Sequence, residues 1–443
     1  MTPRYPESKV FYRRLDRDFP RLVSAEGATI VDESGRHYLD ASGGAMVANI
    51  GHGVEELAGA LADAARLGFV SGAQFTNRYV EELAEELADV LPGELQHSYF
   101  LASGSEAVEA AVKLARQYWM EKGRERKWKV ISRVPSYHGN TLTALSLSGR
   151  EHYRKIYGPL LNKFPSIAAP DTYRHPDSAA SSGEILEAAI QQADPETISA
   201  FIAEPIIGSS AGAMVPRDDY YQRTQEICRR HDVLYIADEV LCGMGRTGRW
   251  FAFEHFGVVP DILVLGKGLN GGIAPLSAVV AKQRIVETLA KTSGYFNHAQ
   301  TYSHTPVICA AGLATIRYLK REGLVERCAA MEQPFFERLE AIREFEVVGD
   351  IRGRGLLAGI EFVADRATKE PMPRSDRFAE RVTSAAFENG LIIWPNVGHV
   401  DSARGDLVML APPFTVTEEE IDQVVERLAQ TLEAVSEEYL SGE

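Results

Sequence analysis

Asp261-Ile262-Leu263-Val264-Leu265-Gly266-Lys267-Gly268-Leu269-Asn270-Gly271-Gly272 is the stretch on which the fold turns. Four consecutive apolar residues, Ile262 to Leu265, predict a buried strand, and the glycines behind them predict a loop. Lys267 therefore stands where a strand ends, and open α/β sheets collect ligands at the carboxyl ends of their strands. A lone lysine there more often caps a strand in solvent. Its meaning depends on what the rest of the chain sets beside it.

Outward from this stretch, residues 98 to 282 alternate short apolar runs with amphipathic helices. Ser98–Ala102 precedes a helix from Ser105 to Met120, Lys129–Ser132 one through 139–148, and Ser199–Ala203 one at 217–230. Val233–Ala237, Ile262–Leu265 and Leu276–Val280 complete the series, which predicts a mostly parallel sheet covered by helices. Beyond about 300 the texture changes. Helices are expected at 306–321, 324–343, 375–389 and 418–438, with antiparallel strands at 345–348 and 355–363, a smaller α+β domain. Upstream, Ile30 to Asp40 reads as a hairpin on Ser34-Gly35, and 42–53 is glycine-dense. Helices follow around 54–67 and 78–90, the second stopped by Pro92-Gly93. The expected division is an arm and hairpin at 1–50 joining the small domain, a large domain at 51–305 and the small domain at 306–443.

The composition is that of a globular chain: 443 residues, 45% hydrophobic and 25% charged. A net charge of −15 argues against nucleic acid and anionic membrane as partners. Met1 to Glu7 has no apolar core of signal-peptide type, and no run approaches membrane-span length. Cys228, Cys242, Cys309 and Cys328 form no CxxC pair, and the eleven histidines show no metal spacing. A cytoplasmic protein without a metal is expected.

Two further features end apolar runs. Ser103-Gly104-Ser105-Glu106 follows Phe100-Leu101-Ala102 and opens a helix, so free backbone N–H groups and two hydroxyls could cradle an anion. The plainer reading is a helix N-cap with Glu106 in the first turn. Asp238-Glu239 ends Leu234–Ala237, and an acid there is costly unless a cation or metal meets it. Its plainer reading is a structural ion pair. With Lys267, these suggest one ligand bearing a phosphate, a protonatable ring nitrogen and an electrophilic carbon. Pyridoxal phosphate has all three. Gly243 to Gly248 matches the dinucleotide pattern GxGxxG, but Arg249-Trp250-Phe251 follows instead of an amphipathic helix. Gly208 to Gly212 matches GxSxG, but Met214-Val215-Pro216 is no helix start.

Ten short stretches then resemble one family, in that family's order. They are Tyr38-Leu39-Asp40, Gly51-His52-Gly53, Ser103 to Ala107, Tyr137-His138-Gly139, Ala203-Glu204-Pro205, Ala237 to Val240, Gly245 to Gly248, Gly266-Lys267-Gly268, Thr301-Tyr302-Ser303, and Gly405-Asp406 with Ala411-Pro412-Pro413. On them the chain resembles the class III, omega-type, pyridoxal-phosphate-dependent aminotransferases. The resemblance implies fold type I of the aspartate-aminotransferase-like α/β kind: a large domain with a mostly parallel seven-stranded sheet, plus a smaller α+β domain. It implies that Lys267 forms the Schiff base and moves the proton, and that Asp238 pairs with the pyridinium. It further implies that Ser103, Gly104 and Ser105 hold the phosphate, that Tyr137 beside His138 stacks on the ring, and that Val240 packs on the other face. Glu204 joins the cofactor-binding set, and Thr301 reaches the cofactor of a neighbouring subunit. The implied assembly is a homodimer, or a tetramer of such pairs, with shared sites.

The implied reaction moves an amino group from an amine or omega-amino acid to a keto acid, with pyruvate the expected acceptor, through pyridoxamine phosphate. A racemase, epimerase or aminomutase of the same fold would keep Lys267, Asp238 and Thr301 and stays open as the alternative. Members using 2-oxoglutarate carry a glutamate where this chain has Ser209. An insertion from Trp394 to Arg404 makes Arg404 the candidate for an acceptor carboxylate, and Ala299-Gln300 departs from the family's usual pair before Thr301. Met46 and Phe75, with Tyr5 and Tyr137, are the candidates for the substrate pocket.

Overall fold

The computed structural model describes residues 7–69, 71–176 and 182–441. Tyr5 lies outside them. Near the front, strands β1 (Leu22–Glu26), β2 (Thr29–Asp32) and β3 (His37–Asp40) pair antiparallel in that order. The hairpin turns where Ser34-Gly35 predicts it, with Gly35 at φ +81° and the Asp32 carboxylate accepting from the Ser34 N–H at 2.8 Å.

The alternating region builds one sheet of seven strands: β4 (Leu95–Leu101), β5 (Lys129–Val134), β6 (Ser166–Ala168), β7 (Ile198–Ala203), β8 (Leu234–Asp238), β9 (Ile262–Leu265) and β10 (Ser277–Lys282). Their order is β4-β10-β9-β8-β7-β5-β6. β10 runs antiparallel to β4 and β9, and the other pairings are parallel. The period-two pleat explains why the central strands read as unbroken apolar runs. Phe201, Tyr235, Ala237, Leu263 and Leu265 join the core on one face. Ala200, Ile202, Leu234, Ile236, Ile262 and Val264 join the other, against Ala107, Ala111 and Leu114 of the helix Gly104–Glu121. Covered on both faces, such strands gather ligands at their carboxyl ends.

A second sheet holds β11 (Val348–Arg354), β12 (Leu357–Asp365), β13 (Glu370–Pro371), β15 (Trp394–Val397) and β16 (Asp406–Leu410), in order β11-β12-β16-β15 with β13 on β12. β14 (Leu391–Ile392) instead pairs parallel with β3. The strand expected at 345–348 lies further on, at Val348–Arg354, because its charges are spent internally. Arg352 pairs with Asp350 at 2.9 Å and with buried Glu361 of β12 at 2.7 Å, so the run does not look apolar. Helix 324–343 ends at Leu339 in a 3-10 turn, and helix 139–148 narrows to Leu142–Leu147. The insertion at 394–404 forms β15, whose Pro395 and Asn396 break any period, and the loop into β16.

Gly243 to Gly248 forms a joint between the sheets. Arg246, buried and lowered to about 10 by that burial, donates to the carbonyls of Leu356 at 3.0 Å and Pro412 at 2.6 Å. Gly248 packs against Ala329, so this loop presents no open cradle to a pyrophosphate.

Candidate active site

Three strand ends meet at one cavity of about 200 Å³. β4 runs into the turn at Gly104 and Ser105, β8 ends at Asp238, and β9 leads through Gly266 to Lys267. The loops after β5 and β7 add Tyr137, His138, Glu204 and Ser209 to the walls.

Lys267 opens a 3-10 turn with φ at +42°, a left-handed conformation that costs energy for a residue with a side chain. Asn49 pins that turn from the glycine-dense stretch, its amide donating to the carbonyls of Gly268 and Met244 at 3.1 Å each. Among the described residues Lys267 makes no ion pair or hydrogen bond. Burial lowers its ammonium to about 8; Glu204 and Asp238 oppose that shift, and the Arg150 cation adds to it.

Asp238 is buried. Its Oδ2 lies 2.7 Å from His138 Nδ1 and its Oδ1 accepts from the Val240 N–H at 3.1 Å. His138 Nε2 is buried with no partner among the described residues. Glu239 is committed elsewhere: it accepts from the Ala252 and Phe253 N–H groups at 2.8 Å each, and burial raises its carboxyl to about 8. The adjacent acids are thus divided, one facing the cavity and one holding a loop. Glu204 also serves the backbone, accepting from the N–H groups of Tyr137 at 3.0 Å and Gly208 at 2.8 Å, and burial raises its carboxyl too. That clamp sets Tyr137 at the wall.

The turn at Gly104 and Ser105 is shaped by close approach. A Cβ on Gly104 would sit 2.9 Å from Val240 Cγ1, so only glycine leaves both the helix start and Val240 in place. Ser105 exchanges hydrogen bonds with Asn140, accepting from its N–H at 3.0 Å and donating to its Oδ1 at 3.1 Å. Ser103 is the N-cap of this helix. Its hydroxyl accepts from the Glu106 N–H at 3.4 Å and donates to the Glu106 carboxylate at 2.9 Å, a local cap, and it is not on the cavity wall.

Lys267, Asp238, Tyr137, His138, Glu204, Val240, Gly104 and Ser105 therefore converge within the chain. Thr301, Met46, Phe75 and Arg404 are not on this wall. Thr301 lies exposed in a turn, Met46 is buried at a kink with φ +59°, and the Phe75 ring is exposed. Arg404 is already paired, with Asp401 and Glu370 at 2.7 Å each. Arg150 escapes a reading of the sequence. It sits between short helices, and only the fold lays its guanidinium 4.7 Å over the Tyr137 ring and 2.8 Å from the Ser209 hydroxyl. Among the described residues no group of His, Cys, Asp and Glu could hold a metal ion, and no helix is long and apolar enough to cross a membrane.

The family model described as Aminotransferase class-III matches residues 13–432. The uncharacterized aminotransferase YodT of Bacillus subtilis is 41% identical over 428 residues, covering 95% of this chain and 96% of that protein. The putrescine–pyruvate aminotransferase of Pseudomonas aeruginosa is 35% identical, covering 94% and 91%. Among solved structures, a thermostable (S)-enantioselective omega-transaminase from Thermomicrobium roseum superposes with a TM-score of 0.88 at 36% identity, covering 95% of this chain and 93% of that one.

Proposed function

Because the chain belongs to the class-III aminotransferases, a pyridoxal-phosphate-dependent family, we propose that it moves an amino group from an amine or omega-amino acid to a keto acid, with pyruvate as acceptor. The observation that carries this reading is the meeting of Lys267, Asp238 and Tyr137 on one cavity wall. The residues fit the cofactor. Gly104 and Ser105 leave helix N–H groups free for a phosphate, and Asp238 offers a carboxylate oriented by His138. Tyr137 and Val240 line the same space.

When bound, pyridoxal phosphate supplies an aldehyde that condenses with amines and a ring that draws electrons from the neighbouring carbon. The chain's own residues do the rest. Lys267 Nζ, destabilised as an ammonium by its surroundings, takes the proton from the donor's α-carbon and delivers it where the cofactor accepts it. Asp238 holds a proton on the ring nitrogen, and His138 fixes the angle of that carboxylate. Glu204 keeps Tyr137 against the site through its backbone. The acceptor identity draws support from the relative named as a putrescine–pyruvate aminotransferase. The four cysteines are free and buried, which fits a cytoplasmic location.

We infer a homodimer with shared sites. Thr301 stands outside its own cavity beside exposed Tyr302, whose ring meets exposed Phe69 edge-on at 5.9 Å. Mixing Lys267→Ala with Thr301→Ala chains should recover part of the activity, and no recovery would count against shared sites.

The deciding experiment follows the cofactor's visible absorbance. Borohydride should fix the cofactor onto Lys267, and an amine donor without acceptor should bleach the band, which pyruvate then restores. Bleaching separates a transaminase from a racemase, which keeps its band. Lys267→Ala should lose several orders of magnitude of turnover, on the order of 10³ or more. Normal turnover in that variant would reject the assignment.

A further inference from the structure

Arg150 is a cation in search of an anion. Gly149 lets the backbone pass close to β5, since a Cβ there would come within 2.8 Å of Val134 Cα, and this approach swings Arg150 over Tyr137. The guanidinium donates to the Ser209 hydroxyl at 2.8 Å, while its Nε is buried with no partner among the described residues. Burial lowers its pKa, against the attraction of Tyr153, Tyr137 and Glu204. Among the described residues no carboxylate forms an ion pair with it. Glu204 keeps its two oxygens on the Tyr137 and Gly208 N–H groups. Buried charges are ordinarily paired, and one left without a counter-ion is expensive.

We propose that the counter-ion is the substrate's own acid: Arg150, with Ser209, binds the carboxylate of the keto acid acceptor, and of any donor that carries one. This rests on the transaminase reading above. The guanidinium presents a planar fork that matches a carboxylate, and Ser209, now accepting from it, retains a hydroxyl hydrogen to donate. Ser209 and Tyr137 line the cavity with Lys267, so an acid held at Arg150 stays within the reacting space. Arg404 is held by Asp401 and Glu370, whereas Arg150 stands directly behind this wall, against Tyr137 and Ser209 that line it. Because the Arg150 charge also pushes the Lys267 ammonium down, an acid bound at Arg150 would relax that effect.

The test compares holoenzyme of wild type, Arg150→Met, Arg150→Lys and Ser209→Glu. Three quantities are measured: bleaching by the carboxylate-free amine 1-phenylethylamine, recovery of the band by pyruvate, and the affinity of the unreactive carboxylate propanoate by calorimetry. Arg150→Met should weaken propanoate and the pyruvate half-reaction by about 30-fold or more, with a much smaller loss on the carboxylate-free amine. Arg150→Lys should restore part of that. Ser209→Glu keeps the arginine but gives it a carboxylate, and should lose acid affinity as Arg150→Met does. Equal losses for amine and pyruvate, or propanoate affinity unchanged in Arg150→Met, would overturn the proposal. Should wild type fail to bleach with any amine, the transaminase reading falls, and propanoate binding still decides whether Arg150 holds an acid.

Discussion

His138 Nδ1 lies 2.7 Å from Asp238 Oδ2, with both side chains buried. The acid at the end of β8 is thereby aimed by an imidazole from a different loop, and the imidazole's other nitrogen has no partner among the described residues.

Asp238→Asn should keep the fold and lose most of the turnover, by about 100-fold or more, because an amide cannot hold the ring nitrogen's proton. His138→Ala should lose less, about 10- to 100-fold, as groups that orient a functional carboxylate usually do. Steady-state rates with the visible spectrum of the bound cofactor check both. Equal losses for the two variants would remove the distinction between holding the proton and aiming the acid.

Lys267 should capture the cofactor as its amine deprotonates. With its ammonium at about 8, roughly a tenth is neutral at pH 7, against less than about a thousandth for an ordinary lysine. The rate at which cofactor-free protein develops the visible band with pyridoxal phosphate should climb through pH 7 to 9 and level above it. The same shift acts on stability. The unfolded lysine binds more protons between about 8 and the ordinary lysine value, so the cofactor-free protein gains stability as pH rises through that window. Band formation that keeps rising past pH 10 would contradict the lowered value.

Gly104→Ala should weaken cofactor retention by about tenfold, since the new methyl group meets Val240 Cγ1. Equilibrium dialysis measures it. Val240→Ala in the same chain should return part of the affinity by clearing the space.

Glu361 should matter for stability rather than turnover. Burial alone would raise its carboxyl, yet His399, Arg352 and Arg174 hold it well below the usual range. Arg174 lies 2.5 Å and Arg352 2.7 Å from its oxygens. His399 Nε2 approaches to 3.0 Å. Glu361→Ala strands the two guanidinium groups and should cost about 3–5 kcal/mol in denaturant unfolding. A depressed carboxylate contributes stability that is present above its unfolded value near 4.5 and fades as pH falls below it. The variant's deficit should therefore shrink in acid.

The parts of the site legible in the sequence are those that end apolar strands. Asp238 and Lys267 follow runs whose burial on both faces leaves an unmistakable pattern, and Gly104 follows another. Arg150 was illegible because nothing local distinguishes it; its place depends on a close approach at Gly149 and on Tyr137 arriving from the same loop. Asn49 was hidden likewise, a polar residue whose two acceptors lie some two hundred positions away. In the second sheet, β11 disguised itself by internal pairing of its charges, and β14 is too short to carry a period. Short strands are stabilised by their neighbours, which a linear reading does not see.

Leu39 of β3 takes its parallel neighbour from Leu391 of β14. During synthesis the hairpin must wait, with one edge open, until the ribosome has delivered almost the whole polypeptide. The head and tail of the chain consequently close together, and a nascent chain halted before residue 391 is left with an unsatisfied strand that invites pairing with another molecule.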